Sequence, residues 1–212
     1  MYPAKDNVAM LTEMLRKRPP EGERCDFCAT PVAPEHDHLI ELAARRILCT
    51  CRPCHIVFEP AGAAQGKYRA IPKRYREVAD FVVDDATWDS LQLPIGLVFF
   101  FYNSTESRTV AFYPSPAGAT ESLLPLEEWV GIVACYSEFS SIEPDVEAIL
   151  IQRNREVSRC FIVPIDAAYE LVGLIRTCWK GFDGGQEAHQ KIAQYFEKVQ
   201  ARSGRKAAAR IS

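Results

Sequence analysis

The sequence predicts an α+β protein, a small zinc-ribbon-like module followed by a mixed antiparallel-sheet and helix domain. Three observations carry that reading. Two C-x-x-C pairs flank an alternating segment between residues 25 and 54. Two hairpin patterns follow, over 93–113 and 147–165. Helical stripes stand beside these hairpins rather than between parallel strands, which argues against a doubly wound sheet. The expected organisation is an N-terminal helix over 1–20, a metal module over 21–60, a basic linker over 61–79, the α+β domain over 80–201 and a disordered basic tail over 202–212.

The elements follow in order. Residues 5–17 place Val8, Leu11, Met14 and Leu15 on one helical stripe, halted by Pro19-Pro20. In the module, 38–42 alternates as a strand, Ala43-Ala44-Arg45 turns and 46–50 returns, so that a hairpin joins two cysteine turns. Residues 61–66 are small, and 67–76 carry five cations with Tyr68 and Tyr75 interleaved. That segment reads first as a solvated edge, with contact to phosphate or an acidic partner as its functional alternative. Asp84 or Asp85 caps a helix running through Trp88 and Leu91. Residues 93–102 form a buried strand, 103–107 a turn and 108–113 its return, and Pro114-Ser115-Pro116-Ala117-Gly118 reads as a rigid loop. Leu126, Trp129, Val130 and Val133 mark a helix, and a second hairpin turns at Asn154. Asp166 is expected to cap a helix with Leu171, Leu174, Ile175 and Cys178 inward. Gly181 ends it, Gly184-Gly185 turns the chain, and 186–201 form a last amphipathic helix.

Composition bounds the function. The chain has 212 residues, 48% hydrophobic and 25% charged, which excludes a wholly disordered chain. Its longest apolar run, 95–102, is far short of the about 18 residues of a membrane helix, so no membrane span is expected. The opening Met1-Tyr2-Pro3-Ala4-Lys5-Asp6 lacks the apolar core of a signal peptide, and a cytoplasmic protein is expected. Residues 1–76 carry 13 Lys+Arg against 9 Asp+Glu, residues 77–196 carry 7 against 18, and residues 197–212 carry 5 against 1. An acidic body between basic ends does not present the single basic face of a nucleic-acid binder, but it leaves room for a basic module that docks onto something acidic.

The cysteines carry the chemistry. Of eight, five fall between Cys25 and Cys54, with His36 and His38 among them and His55 one residue beyond. In a reducing compartment such clustering points to metal rather than disulfides. Two residues between thiols let both sulfurs of one turn reach the same ion, and a second turn alongside completes a tetrahedral four-thiolate shell. Cys25, Cys28, Cys51 and Cys54 are therefore the expected metal ligands, with zinc as the first choice. Iron, as in a rubredoxin, is the alternative, and Ala29 and His55 count against it because such knuckles favour glycine there. Covalent haem at Cys51-Arg52-Pro53-Cys54-His55 ranks last, since haem attachment of that kind belongs to exported proteins. Cys49, His55, His36 and His38 are left outside the ligand set, the two histidines reading as solvated loop. With a core of its own for the body, Cys28→Ser or Cys51→Ser is expected to unfold the module and spare the body's helices.

The remainder offers no assembled catalytic constellation. It holds no G-x-x-x-x-G-K-[ST] loop, no G-x-S-x-G elbow and no H-E-x-x-H helix. Cys135, Cys160 and Cys178 read as core and His189 as surface, so the chain reads more as a non-enzyme than as an enzyme.

A resemblance extends this reading. The cysteine pairs, then Ala111-Phe112-Tyr113-Pro114-Ser115-Pro116-Ala117-Gly118-Ala119-Thr120-Glu121-Ser122, Pro144-Asp145-Val146-Glu147-Ala148, Pro164-Ile165-Asp166 and Trp179-Lys180-Gly181-Phe182-Asp183-Gly184-Gly185, resemble an uncharacterised bacterial family over residues 24–200. That family is often encoded beside nickel–iron uptake hydrogenases of the high-affinity, actinobacterial type. The resemblance implies a hydrogenase accessory role, with a hydrogenase subunit or maturation factor as partner. It matches the family's cysteines at Cys25, Cys28, Cys51 and Cys54 and carries over no catalytic residue. A rubredoxin-like electron carrier and a nucleic-acid-binding ribbon stand as the alternative functions.

Overall fold

The computed structural model describes residues 22–60, 62–90, 96–122, 127–154, 158–181 and 184–204. The helix expected over 5–17, Leu91, Leu126 and the tail beyond Gly204 lie outside the described residues.

The N-terminal hairpin forms where alternation predicts it. Strand β1 (Asp37–Glu41) pairs antiparallel with β2 (Arg46–Thr50), in register from Asp37 opposite Thr50 to Glu41 opposite Arg46. Arg45 closes the turn at a φ of 49°. Helix α1 (Arg52–Phe58) follows directly, and β3 (Tyr68–Ala70) adds to the other side of β1, giving a three-stranded sheet. Part of the expected small-residue linker, Ala63–Gly66, is a tight turn in which Ala64 and Gln65 take left-handed dihedrals, φ 47° and 60°.

The body is a six-stranded antiparallel sheet in the order β4-β9-β8-β5-β6-β7. Its elements along the chain are β4 (Arg76–Glu77), helix α2 (Asp85–Ser90), β5 (Leu97–Asn103), β6 (Arg108–Ser115), β7 (Gly118–Ser122), helix α3 (Glu127–Cys135), a 3₁₀ turn (Ser137–Ser141), β8 (Glu147–Arg153), β9 (Ser158–Pro164), helix α4 (Ile165–Cys178) and helix α5 (Gly185–Arg202). This is an α+β fold. Both faces of the sheet are covered, which explains why the central strands read as continuous apolar runs rather than alternating ones. Phe99, Phe112, Leu150 and Phe161 pack under α4 and α5, against Leu171, Ile175 and Phe196. Val98, Phe100, Ile149, Ile151 and Ile162 face the other way, covered by Phe81, Trp88, Trp129 and Phe139. Trp129 stacks flat on Phe100, centroids 3.7 Å apart.

Local expectations are corrected at five points. The proline-rich stretch is not a loop: β6 runs through Pro114 to Ser115 and turns straight into β7. Pro114 is tolerated because the pairing of β6 with β5 ends at Phe99–Phe112, so its missing N–H breaks no ladder on that side. Asp166 is not the cap of α4, which starts from Pro164 without a side-chain cap and leaves the Asp166 carboxylate to bond His38. Cys160 and Cys178 are buried as expected, but Cys135 is exposed at the end of α3 and bonds back to the Gly131 carbonyl. Helix α5 extends to Arg202, whose guanidinium sits 4.1 Å from the Tyr75 ring centroid.

The fifth correction concerns the core and the basic segment. The body does not have its hydrophobic core to itself: Ile40 of β1 and Ile71 belong to the same buried cluster as Phe99 and Phe161. Of the five cations over 67–76, Lys67, Lys73 and Arg74 are exposed, as a solvated edge requires, but each has an acidic partner. Lys67 pairs with Glu41 (2.9 Å), Lys73 with Asp37 (2.5 Å) and Arg69 with the Pro144 carbonyl (2.6 Å). Arg74 grips Glu147 through both oxygens and Arg76 bonds Ser141. Lys67 and Lys73 thus pair with β1 of the module, while Arg69, Arg74 and Arg76 reach into the body.

Candidate metal centre

The first cysteine pair sits in a tight turn built by the backbone. Cys25 N–H bonds the Thr30 carbonyl and Ala29 N–H bonds the Cys25 carbonyl, at 2.9 and 2.8 Å, and an isolated bridge joins Arg24 to Pro31. Asp26 ties this turn to β2 twice: its N–H bonds the Cys49 carbonyl (2.9 Å) and its carboxylate accepts the Cys49 N–H (2.7 Å).

The second pair is built differently from the expected second turn. Cys51 leaves β2 in an extended conformation and is the residue from which α1 starts, while Cys54 lies in the first turn of that helix. Pro53, at the second helical position, costs the helix nothing because the N–H there has no intrahelical partner anyway.

The two pairs converge. One sulfur from each of Cys25, Cys28, Cys51 and Cys54 lies within 4.8 Å of all the others. Cys28 Sγ and Cys51 Sγ, 23 residues apart, are separated by 3.6 Å. A tetrahedral ion with metal–sulfur bonds of about 2.3 Å has sulfur–sulfur edges of about 3.8 Å. Four thiols at that spacing fit a four-thiolate metal shell, and the cluster can hold a metal ion. Aromatic packing closes the module beside the sulfurs: Phe27 stacks on Phe58 of α1 at 4.3 Å, and Tyr68 meets both edge-on.

The surroundings split the thiols electrostatically. A hydrogen bond to the Thr30 hydroxyl, helped by the Thr30 backbone and by Cys51 and Cys25, lowers Cys28 to about 6. Burial raises Cys25, but the backbone N–H groups of Cys51, Cys28 and Phe27 outweigh it and the net shift is downward. Cys54 is pushed up to about 12, first by burial and then by the neighbouring sulfurs of Cys51, Cys28 and Cys25. A cluster that holds some of its protons tightly must release them to a metal, so metal affinity here falls as pH falls.

Ala29, directly after the first pair, adopts a φ of 60°. A left-handed conformation costs a residue with a β-carbon roughly 1–2 kcal/mol, part of which glycine recovers. Ala29→Gly is therefore expected to stabilise the metal-loaded protein by about 1 kcal/mol or less, measured by urea unfolding. A destabilisation would show that the Ala29 methyl makes contacts worth more than the strain.

The residues set aside in the sequence fall into two groups. His55 is buried on α1, with Nε2 3.8 Å from Glu59, outside the four-sulfur cluster. His36 and His38 are not solvated loop: their side chains are 6% and 24% exposed, and with Cys49 they form a donor group of their own. His189 is exposed, as expected. Among the described residues, no helix is long and apolar enough to cross a membrane.

Comparison with known proteins adds a family. No curated protein and no solved structure matches the chain. Residues 24–203 match the sequence model of a family described as a family of unknown function, DUF5947, and with nearly the whole chain covered, the protein belongs to that family.

Proposed function

We propose that this chain is a non-enzymatic accessory protein in which Cys25, Cys28, Cys51 and Cys54 bind one structural zinc ion, and in which the metal-closed module over 21–60 and the α+β body over 80–201 together serve a protein partner. The observation that carries the reading is the convergence of four sulfurs from a tight turn and a helix start onto one point. A docking role is supported by Ile56 and Val57, 53% and 62% exposed on the same short helix that carries Cys54. Arg45, by contrast, is engaged with Glu106 at 3.2 Å, so the tip of the hairpin is not a free basic surface. On the resemblance described above, the proposed partner is a subunit or maturation factor of a nickel–iron hydrogenase, met in the cytoplasm.

The test is elemental analysis of untagged protein together with co-purification from its own host. A colourless protein with stoichiometric zinc, bringing a hydrogenase component with it, is the expected result. A paired Ile56→Glu and Val57→Glu variant should keep zinc and lose the partner. A red protein with a reversible one-electron couple would replace zinc by iron and make the chain an electron carrier. Co-purifying nucleic acid whose affinity falls steeply with salt would instead favour the nucleic-acid-binding reading.

A further inference from the structure

A second donor cluster stands apart from the four sulfurs. One ring nitrogen each of His36 and His38 and the sulfur of Cys49 lie within 4.8 Å of one another. Strand geometry brings them together. His38 is directly opposite Cys49 in the β1–β2 register, so their side chains emerge on the same face. His36, two residues before His38, meets it edge-on, with ring centroids 4.5 Å apart.

The hydrogen bonds orient both imidazoles alike. His36 Nδ1 lies 2.8 Å from the Ala33 carbonyl oxygen, and His38 Nδ1 lies 2.7 Å from the Asp166 carboxylate. A carbonyl and a carboxylate accept hydrogen bonds, so Nδ1 is the protonated nitrogen in each ring and the lone pair falls on Nε2. Metal-bound histidines are typically held this way, one nitrogen donating to a carbonyl or carboxylate while the other ligates. His36 Nε2 is buried, on a side chain only 6% exposed, and has no hydrogen-bond partner. A buried acceptor without a partner is costly and calls for a ligand.

We propose that His36, His38 and Cys49 form a second zinc site, with three protein ligands and an open fourth position. Two imidazoles and one thiolate suit zinc, and a three-ligand shell leaves room for water or a donor from outside the chain. The site lies where the module meets the body, because Asp166, which orients His38, belongs to the first turn of α4. An ion there ties the hairpin to the body helix through His38, a contact spanning 128 residues of sequence.

The experiment is metal titration of the full chain, stripped and then refilled with zinc alone, and in parallel with cobalt to read the ligand field. The wild type is expected to take up two equivalents, with X-ray absorption showing a mixed sulfur and nitrogen/oxygen shell. His36→Gln and Cys49→Ser should each reduce this to one equivalent while leaving the four-thiolate cobalt spectrum intact. Cys28→Ser, which melts the hairpin that carries His38 and Cys49, should lose both ions. Saturation of the wild type at one equivalent with an all-sulfur shell would overturn the second site and leave the first standing. So would two equivalents retained in both His36→Gln and Cys49→Ser. Saturation of the wild type at one equivalent with a mixed shell, lost in His36→Gln and kept in Cys28→Ser, would support the second site and remove the first.

Discussion

Removing the metal site of the four sulfurs, by chelation or by Cys28→Ser, is expected to melt the module and to lower the unfolding midpoint of the whole chain. A three-stranded sheet with a helix of 7 residues buries too little apolar surface to hold itself. In isolated zinc fingers the ion supplies an apparent 10–16 kcal/mol or so of folding free energy. Here the loss reaches further, because Ile40 and Ile71 are part of the cluster beneath α4 and α5. Withdrawing two buried isoleucines forfeits about 3–6 kcal/mol, and in a chain of this size that corresponds to a fall of the midpoint on the order of 10 °C. The long helices α4 and α5 pack mainly on the body sheet, so far-UV circular dichroism should retain most of its helical signal at room temperature. An unchanged midpoint in Cys28→Ser, followed by calorimetry, would show that no ion at the four sulfurs stabilises the fold.

Replacing Arg74 by alanine is expected to cost about 2–3 kcal/mol, less than the penalty for a fully buried ion pair because the Arg74 side chain is 44% exposed while Glu147 is buried. Glu147 is fully buried and receives the Arg74 guanidinium in a two-point grip, Nε to Oε1 at 2.5 Å and Nη2 to Oε2 at 2.6 Å. Without Arg74, the remaining bond to that carboxylate is the Glu143 N–H at 2.9 Å. Arg74→Lys should recover only part of the loss, since an ammonium cannot reproduce the planar fork. The double variant Arg74→Met with Glu147→Leu should lie much closer to wild type, because it removes the charge along with its partner. Urea unfolding with an unchanged slope is the measurement. A loss below about 1 kcal/mol for Arg74→Ala would show that water reaches Glu147 and that the grip is an ordinary surface pair.

What could be read from the sequence was local. The hairpin at 37–50 follows from alternation, that at 147–164 from two apolar runs about a short turn, and the last helix from its stripe of Ile192, Tyr195, Phe196 and Val199. The four sulfurs were legible from spacing alone. The helix under Cys54 was not, although Pro53 just inside its start was a usable signal. The His36–His38–Cys49 group needed one more step, the pairing register that a turn between Glu41 and Arg46 already implies. Other features were invisible in principle to a local reading. The partners of Arg69 and Arg74 lie more than 60 residues downstream, so the ties of these two cations to the body could not be read beside the exposed Lys67 and Lys73. The same distance hid the joining of Ile40 to the body's core.

The sheet order has a bearing on how the chain is made. Strand β4 is the first strand of the six-stranded sheet to leave the ribosome, yet its neighbour there is β9, the last to be synthesised. At ordinary translation rates the 128 residues between His38 and Asp166 take on the order of ten seconds to emerge. Throughout that interval the nascent hairpin has no α4 to lean on, and an ion held at the proposed sites would decide whether it waits folded.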